Sequence, residues 1–266
     1  MDAMPSLRDR LDSGRLVLCM ALVQARTADI PMMAAACGYD AVYIDLEHTS
    51  ASFETTSVLC AGAVAAGIPP LVRVPAHGHE YLTRSLDVGA LGVIVPHVES
   101  RAEAEAIADA CRFPPRGSRS VTGGNVATRH RPMAQADLLE LFDRETVVTV
   151  MLETPEAVEA ASDIAAVPGV DMVMLGPHDL TAEMGILGRF HDERFLAAVD
   201  TVASACRTHG KAFAIAGIRD PELLKSFVGL GLRFVSAGTD AGFLAEAASA
   251  HAARLRAIAG QEEDEQ

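Results

Sequence analysis

Two apolar runs near the middle of the chain end in carboxylates: Val147-Val148-Thr149-Val150-Met151-Leu152-Glu153 and Asp171-Met172-Val173-Met174-Leu175-Gly176-Pro177-His178-Asp179. A carboxylate beside apolar strand residues is costly unless it is paired or bound to a cation, and the carboxyl ends of parallel strands are where α/β proteins place their chemistry. Two such acids on neighbouring strands suit a divalent cation with coordination positions left open. Oxygen ligands favour Mg²⁺ or Mn²⁺, whereas zinc more often recruits His or Cys. Earlier in the chain one run ends Ile44-Asp45-Leu46-Glu47-His48, and another reads Leu71-Val72-Arg73-Val74-Pro75. An arginine inside an apolar strand needs an anionic partner or ligand, because no pKa shift can remove its charge. Beside a cation, Arg73 suits an enolate oxygen on which charge develops.

Plainer readings exist for most of these residues. His48 fits a hydrogen-bonded histidine in a strand-to-helix turn, Glu153 precedes Thr154-Pro155 and suits a helix N-terminus, and Asp179 suits the cap of a helix starting at Leu180. The lysines narrow the chemistry further. Only Lys211 and Lys225 occur, neither at the carboxyl end of a strand-like run, so imine chemistry has no candidate nucleophile.

Strand-like runs at 16–22, 41–46, 71–75, 92–98, 147–153, 172–175, 212–216 and 234–238 alternate with helical-period stretches such as 52–66, 101–112, 155–166, 195–209, 221–230 and 240–258. Eight βα units without a linker predict an α/β fold, a (β/α)8 TIM barrel forming one domain over 1–260. An open doubly wound sheet is the alternative, but Ala21-Leu22-Val23-Gln24-Ala25-Arg26 follows the first strand where a G-x-G-x-x-G turn would stand. The barrel brings His48, Arg73, Glu153 and Asp179 to one mouth. Segment 112–131, with Pro114-Pro115, Gly117, Gly123-Gly124 and five arginines, reads as a long functional loop. Its Arg116, Arg119, Arg129 and Arg131 read as solvated in the main, or as holding a distal substrate carboxylate. The acidic segment 261–266 reads as a disordered tail.

Half of the 266 residues are hydrophobic and 22 % are charged, enough for one large core. The net charge of −14, from 22 basic and 36 acidic side chains, disfavours nucleic acid and anionic membrane as partners. No secretory leader or bilayer-length apolar run is legible, which predicts a soluble, cytoplasmic protein. The five cysteines are widely spaced and read as buried thiols in a reducing compartment.

Several segments together, in this order and spacing, carry a resemblance that covers nearly the whole chain. They are Ile44-Asp45-Leu46-Glu47-His48, Val72-Arg73, Leu86-Asp87-Val88-Gly89-Ala90, Phe113-Pro114-Pro115-Arg116-Gly117, Leu152-Glu153-Thr154 and Gly176-Pro177-His178-Asp179-Leu180. The chain resembles the metal-dependent (class II) pyruvate aldolases of the HpcH/HpaI family, of the 4-hydroxy-2-oxoheptanedioate aldolase type, with a barrel of the phosphoenolpyruvate/pyruvate-binding kind. That resemblance implies reversible aldol cleavage of a 4-hydroxy-2-oxo acid to pyruvate and an aldehyde through a metal-bound enolate, in catabolism of aromatic or sugar acids. It implies a divalent cation (Mg²⁺, Mn²⁺ or Co²⁺) on Glu153 and Asp179, with Arg73 steadying the enolate and His48 helping a metal-bound water act at the 4-hydroxyl. Backbone N–H groups around Pro177, His178 and Asp179 would hold the pyruvate carboxylate. Asp87 matches the aspartate that partners the histidine, yet lies just before the fourth strand at the opposite face, so it is expected to act across a subunit interface of a homohexamer, a trimer of dimers; Asp45 is the intramolecular alternative. The chain departs from the common pattern at Met151, where glutamine is usual, and at His178, where alanine is usual. Two other readings are an acyl-coenzyme A ester lyase of the related citrate-lyase-like barrels, expected to carry a basic patch, and a non-catalytic binding barrel.

Overall fold

Period-two alternation of side chains decides what each strand offers the site. In the computed structural model, which describes residues 6–258, the strands are β1 (Val17–Leu22), β2 (Ala41–Asp45), β3 (Pro70–Arg73), β4 (Gly92–Val95), β5 (Val147–Leu152), β6 (Met172–Leu175), β7 (Ala212–Ala216) and β8 (Leu232–Thr239). Each pairs in parallel with the next, and β8 pairs with β1 to close the barrel. Tyr43, Leu71, Ile94, Val147, Met151, Met172, Met174 and Phe234 form the inner cluster, and Leu7 of the short helix Leu7–Asp12 packs with them. Val42, Ile44, Val72, Val148, Val150, Leu152, Val173 and Leu175 belong instead to the layer beneath the helices. Continuing the inward phase by two residues from Tyr43, Leu71 and Met151 leads to Asp45, Arg73 and Glu153, the top of the barrel interior. The β2–β3 register sets Asp45 directly beside Arg73.

The strands from β2 to β5 end earlier than hydropathy predicts. β2 stops at Asp45, β4 at Val95 and β5 at Leu152, so Glu47, His48, His97 and Glu153 all stand in the turns that leave the mouth. Helix starts follow ordinary capping. Ser52 caps Phe53–Ala65, and Ser100 with Glu103 forms a capping box on Arg101–Cys111. The single helix expected at 155–166 is two, Pro155–Glu159 and Ala161–Ala165.

Segment 112–131 connects the helix Arg101–Cys111 towards β5, at the amino-terminal end of the strands and away from the mouth. Its position takes the arginines away from a substrate at the mouth; Arg116 and Arg131 are exposed, as a solvated role expects, whereas Arg112 and Arg119 are buried and structural. Arg112 donates to Asp171 at 2.6 Å and to the carbonyls of Asp143, Thr146 and Gly169. Arg119 is buried against the rings of Phe113 and Phe142, and Arg116 pairs with Asp143. Four of the cysteines are buried as expected, but Cys37 is exposed. Among the described residues no helix is long and apolar enough to cross a membrane. The segment 261–266 lies outside the described residues.

The last helix, Asp240–Ile258, buries none of its side chains, and Leu244, Leu255 and Ile258 are exposed along it. Its first residue is nevertheless fixed: the Asp240 carboxylate accepts from the N–H groups of Val23 (2.9 Å), Gln24 (3.1 Å) and Ala25 (2.6 Å) in the turn after β1.

Candidate active site at the barrel mouth

Four consecutive strand ends build a connected set of charges. The Arg73 guanidinium grips Asp45 with both prongs, Nε to Oδ1 at 2.9 Å and Nη2 to Oδ2 at 2.7 Å. That pair answers the need for an anionic partner that an arginine in an apolar strand creates. It also removes Asp45 as partner of the His48 ring, since both Asp45 oxygens face Arg73 and His48 reaches Oδ1 only through its backbone N–H at 3.4 Å. Burial works against the Arg73 charge, but the Asp45 hydrogen bonds and the neighbouring Tyr43, Asp45 and Glu47 groups outweigh it and hold its pKa above the ordinary value. Burial pushes the Tyr43 phenol beneath it up to about 12, so it stays protonated at neutral pH.

Glu47 is the residue that sequence reasoning left without a role. Its carboxylate is 8 % exposed and lies between Arg73 Nη1 (3.1 Å), His97 Nε2 (3.1 Å) and His48 Nε2 (3.6 Å). The Arg73 approach is too oblique to be a hydrogen bond, and Glu47 Oε2 is a buried oxygen without a donor. His97 was also missed. It follows Pro96 in the turn after β4 with a left-handed backbone (φ 53°), and its own N–H donates to Glu153 Oε2 at 2.8 Å while its Nδ1 stands 3.1 Å from the same oxygen. The signal for Glu47 was its place next to His48; for His97 it was a polar residue directly after a strand-ending proline.

Glu153 is 3 % exposed. Burial raises its carboxyl pKa; the His97 N–H and ring oppose the rise, and the negative charges of Asp179 and Glu47 add to it. The helix-terminus role falls to its neighbour, since Thr154 caps Pro155–Glu159 by accepting from Ala157 N–H. Across the seam with β6, a Cβ at Gly176 would lie 2.5 Å from Glu153 Oε1, so glycine is what leaves that oxygen in place.

The helix after β6 begins earlier than expected, at Pro177 and not Leu180, which makes Asp179 its third residue and overturns the capping role. Gly176 occupies the cap position and offers no side chain, so no side chain caps the backbone N–H groups of His178 and Asp179. The His178 ring is packed edge-on against Phe190 (centroids 5.2 Å apart), and a Cβ at Gly217 would meet it at 2.8 Å. Met151 fills the barrel interior, 2 % exposed, below Glu153.

His48, Arg73 and Glu153, with Glu47 and His97 added, belong to strand ends or turns at the mouth, and Pro177, His178 and Asp179 to the start of the helix that leaves it after β6. Asp87 belongs to neither. It ends the helix His79–Asp87, which leads back to the start of β4, and it pairs with Arg119 at 2.9 Å while its side chain stays 41 % exposed. Lys211, at the start of β7, donates to the carbonyls of Val167 and Val170 and is likewise remote from the mouth. Among the described residues no group of three or more His, Cys, Asp or Glu is placed to hold a metal ion.

Comparison with known proteins adds a consistent set of relatives. The family model described as HpcH/HpaI aldolase/citrate lyase matches residues 18–247. The 4-hydroxy-4-methyl-2-oxoglutarate aldolase tasA of Hapsidospora irregularis is 36 % identical over 243 residues, covering 90 % of each chain. The 4-hydroxy-2-oxo-heptane-1,7-dioate aldolase of Shigella sonnei is 34 % identical over 254 residues, covering 96 % of each. The crystal structure of an HpcH/HpaI aldolase from Desulfitobacterium hafniense superposes with a TM-score of 0.89 at 27 % identity, over 96 % of this chain and 97 % of that one.

Proposed function

Because the chain belongs to the HpcH/HpaI aldolase/citrate lyase family, we propose that it cleaves a 4-hydroxy-2-oxo acid reversibly to pyruvate and an aldehyde, using a divalent cation held by Glu153 and Asp179. The observation that carries this reading is the convergence at one mouth of a desolvated carboxylate, a second acid whose charge reaches it, and the half-buried guanidinium of Arg73. The donor set fits Mg²⁺, Mn²⁺ or Co²⁺: carboxylate oxygens only, Glu153 Oε2 held by His97, and Oε1 cradled against Gly176. When bound, the cation supplies Lewis-acid polarisation of the substrate's 2-oxo group.

The chain's own residues do the rest. The backbone N–H groups of His178 and Asp179, in the turn that Pro177 opens, receive the substrate carboxylate. His48, exposed at the rim, holds the proton that leaves the 4-hydroxyl. As the C3–C4 bond breaks, its electron pair passes into the enolate of pyruvate and the aldehyde carbonyl forms. Arg73 has spent two of its roughly five N–H donors on Asp45 and turns Nη1 towards Glu47, so its positive charge and its remaining Nη2 donor are what it offers the growing charge on the enolate oxygen. A proton returned to C3 completes pyruvate, so substrate and products balance without an oxidant.

Cation dependence is the direct test. Pyruvate release from 4-hydroxy-2-oxo acids should fall at least about a hundredfold on chelation and return with Mg²⁺, Mn²⁺ or Co²⁺. Turnover that ignores chelator overturns the mechanism, and no turnover of any such acid favours an acyl-coenzyme A lyase or a binding barrel.

The same reading extends to assembly as a homohexamer, a trimer of dimers, in which Asp87 serves His48 of a neighbouring subunit. Its support is the half-exposed Asp87 carboxylate, held by Arg119 far from its own mouth, and the uncovered apolar residues of Asp240–Ile258. Mixing and reassembling His48→Ala and Asp87→Ala subunits, each inactive alone, should restore about a quarter of the activity if sites are shared reciprocally. Mixed oligomers that stay inactive reject the shared site.

A further inference from the structure

We propose that His97 is a positioning residue that locks the Glu153 carboxylate for cation binding, with Glu47 as its anchor; the inference rests on Glu153 being a cation ligand. A left-handed backbone is costly for a side chain with a Cβ and persists where the surroundings hold it. At His97 that conformation delivers two contacts to one atom, the backbone N–H (2.8 Å) and ring Nδ1 (3.1 Å) on Glu153 Oε2. The far ring nitrogen, Nε2, is 3.1 Å from Glu47 Oε1, which stops the ring from swinging away.

The consequence is directional. With Oε2 accepting from the His97 N–H and the imidazole packed beside it, Oε1, for which Gly176 leaves space, is the oxygen turned away from His97 and open to a ligand. Glu47 in turn stands 3.1 Å from Arg73 Nη1, so the group for the enolate and the group for the cation are tied through one imidazole, in the order Asp45, Arg73, Glu47, His97, Glu153. The ring itself is 58 % exposed and carries little packing, so its removal should not cost the fold much. Groups that orient a metal ligand from behind are worth about 10–100-fold in cation affinity.

His97→Gly separates ring from backbone, because glycine adopts the left-handed conformation freely and keeps the N–H. Calorimetric titration of the cation-stripped enzyme with Mn²⁺ alone should show affinity reduced about 10–100-fold in His97→Gly, an unchanged melting midpoint, and a kcat that recovers to within a few-fold at saturating Mn²⁺. His97→Asn, which tolerates the same backbone and offers an amide donor, should regain part of the lost affinity. Wild-type Mn²⁺ affinity in His97→Gly, with Glu153→Gln unable to bind, overturns the positioning role alone. Undiminished Mn²⁺ binding by Glu153→Gln removes the cation-ligand reading and this inference with it. Should His97→Gly fail to fold, the Asn variant decides: affinity and kcat both lost, with no recovery at saturating Mn²⁺, also reject positioning.

Discussion

Glu153→Gln should release pyruvate at least about a thousandfold more slowly than the wild type, while folding as well or better. The first half follows from the ligand role: polarisation by a catalytic cation is worth several kcal/mol, and each ~1.4 kcal/mol is tenfold in rate. The isosteric amide should turn its carbonyl towards the His97 N–H, now accepted by Glu153 Oε2, leaving an NH₂ where Oε1 faces Gly176. An NH₂ repels a cation.

The second half follows from the direction of the pKa shift. Burial, with the nearby Asp179 and Glu47 charges, raises the folded-state pKa of Glu153 above its unfolded value. A raised carboxylate costs the cation-free fold stability at pH above its folded pKa, and the cost disappears as pH falls below the unfolded pKa. The cation-free Gln variant should therefore melt no lower than cation-free wild type at pH 7, and the difference should shrink towards pH 4. Differential scanning calorimetry with and without Mn²⁺, beside pyruvate assays, checks both halves. A Gln variant that retains activity, or that melts well below the wild type without cation, contradicts this account of Glu153.

What the sequence made legible about this site follows from strand geometry. Glu153 and Arg73 could be found because each continues the inward phase of an apolar run, and Asp179 because it closes the turn after the next one. His97 offered only its place after Pro96, because 92–98 reads as one apolar run in which a histidine is merely an interruption; the break after Val95 and the left-handed turn at His97 are backbone events invisible to hydropathy. Glu47 was in view but idle, since its partners come from β3 and β4, more than twenty residues away. The plainer reading of Asp179 as a cap fails on a signal that Pro177 carried: proline at the first helical position starts the helix there. Among the loop arginines the departure is Arg119. Composition made 112–131 look solvated, and Arg116 and Arg131 are exposed, but Arg119 is buried by Phe113 and Phe142, two aromatic side chains on either side of it in the sequence.

Arg73 carries the other large effect, and here chemistry and stability must be separated by the choice of substitution. Arg73→Ala removes donors aimed at the enolate oxygen, worth about 10²–10³ in kcat. It also leaves Asp45 and Glu47, 2 % and 8 % exposed, without their cation, at about 3–5 kcal/mol and a fall of about 10 °C in melting midpoint. Lost activity in that variant alone would therefore say little about catalysis. Arg73→Lys keeps the charge near both acids but replaces the fork, which spans both Asp45 oxygens and reaches Glu47, by a single ammonium. The lysine variant should keep most of the lost stability and still lose about a hundredfold in kcat, with a smaller change in KM, because the missing interaction is one made as charge develops on the oxygen. Steady-state kinetics beside thermal melts distinguish the cases. Wild-type kcat in Arg73→Lys would mean that Arg73 contributes only its charge, and a kcat restored by refolding conditions in Arg73→Ala would mean that it contributes only to the fold.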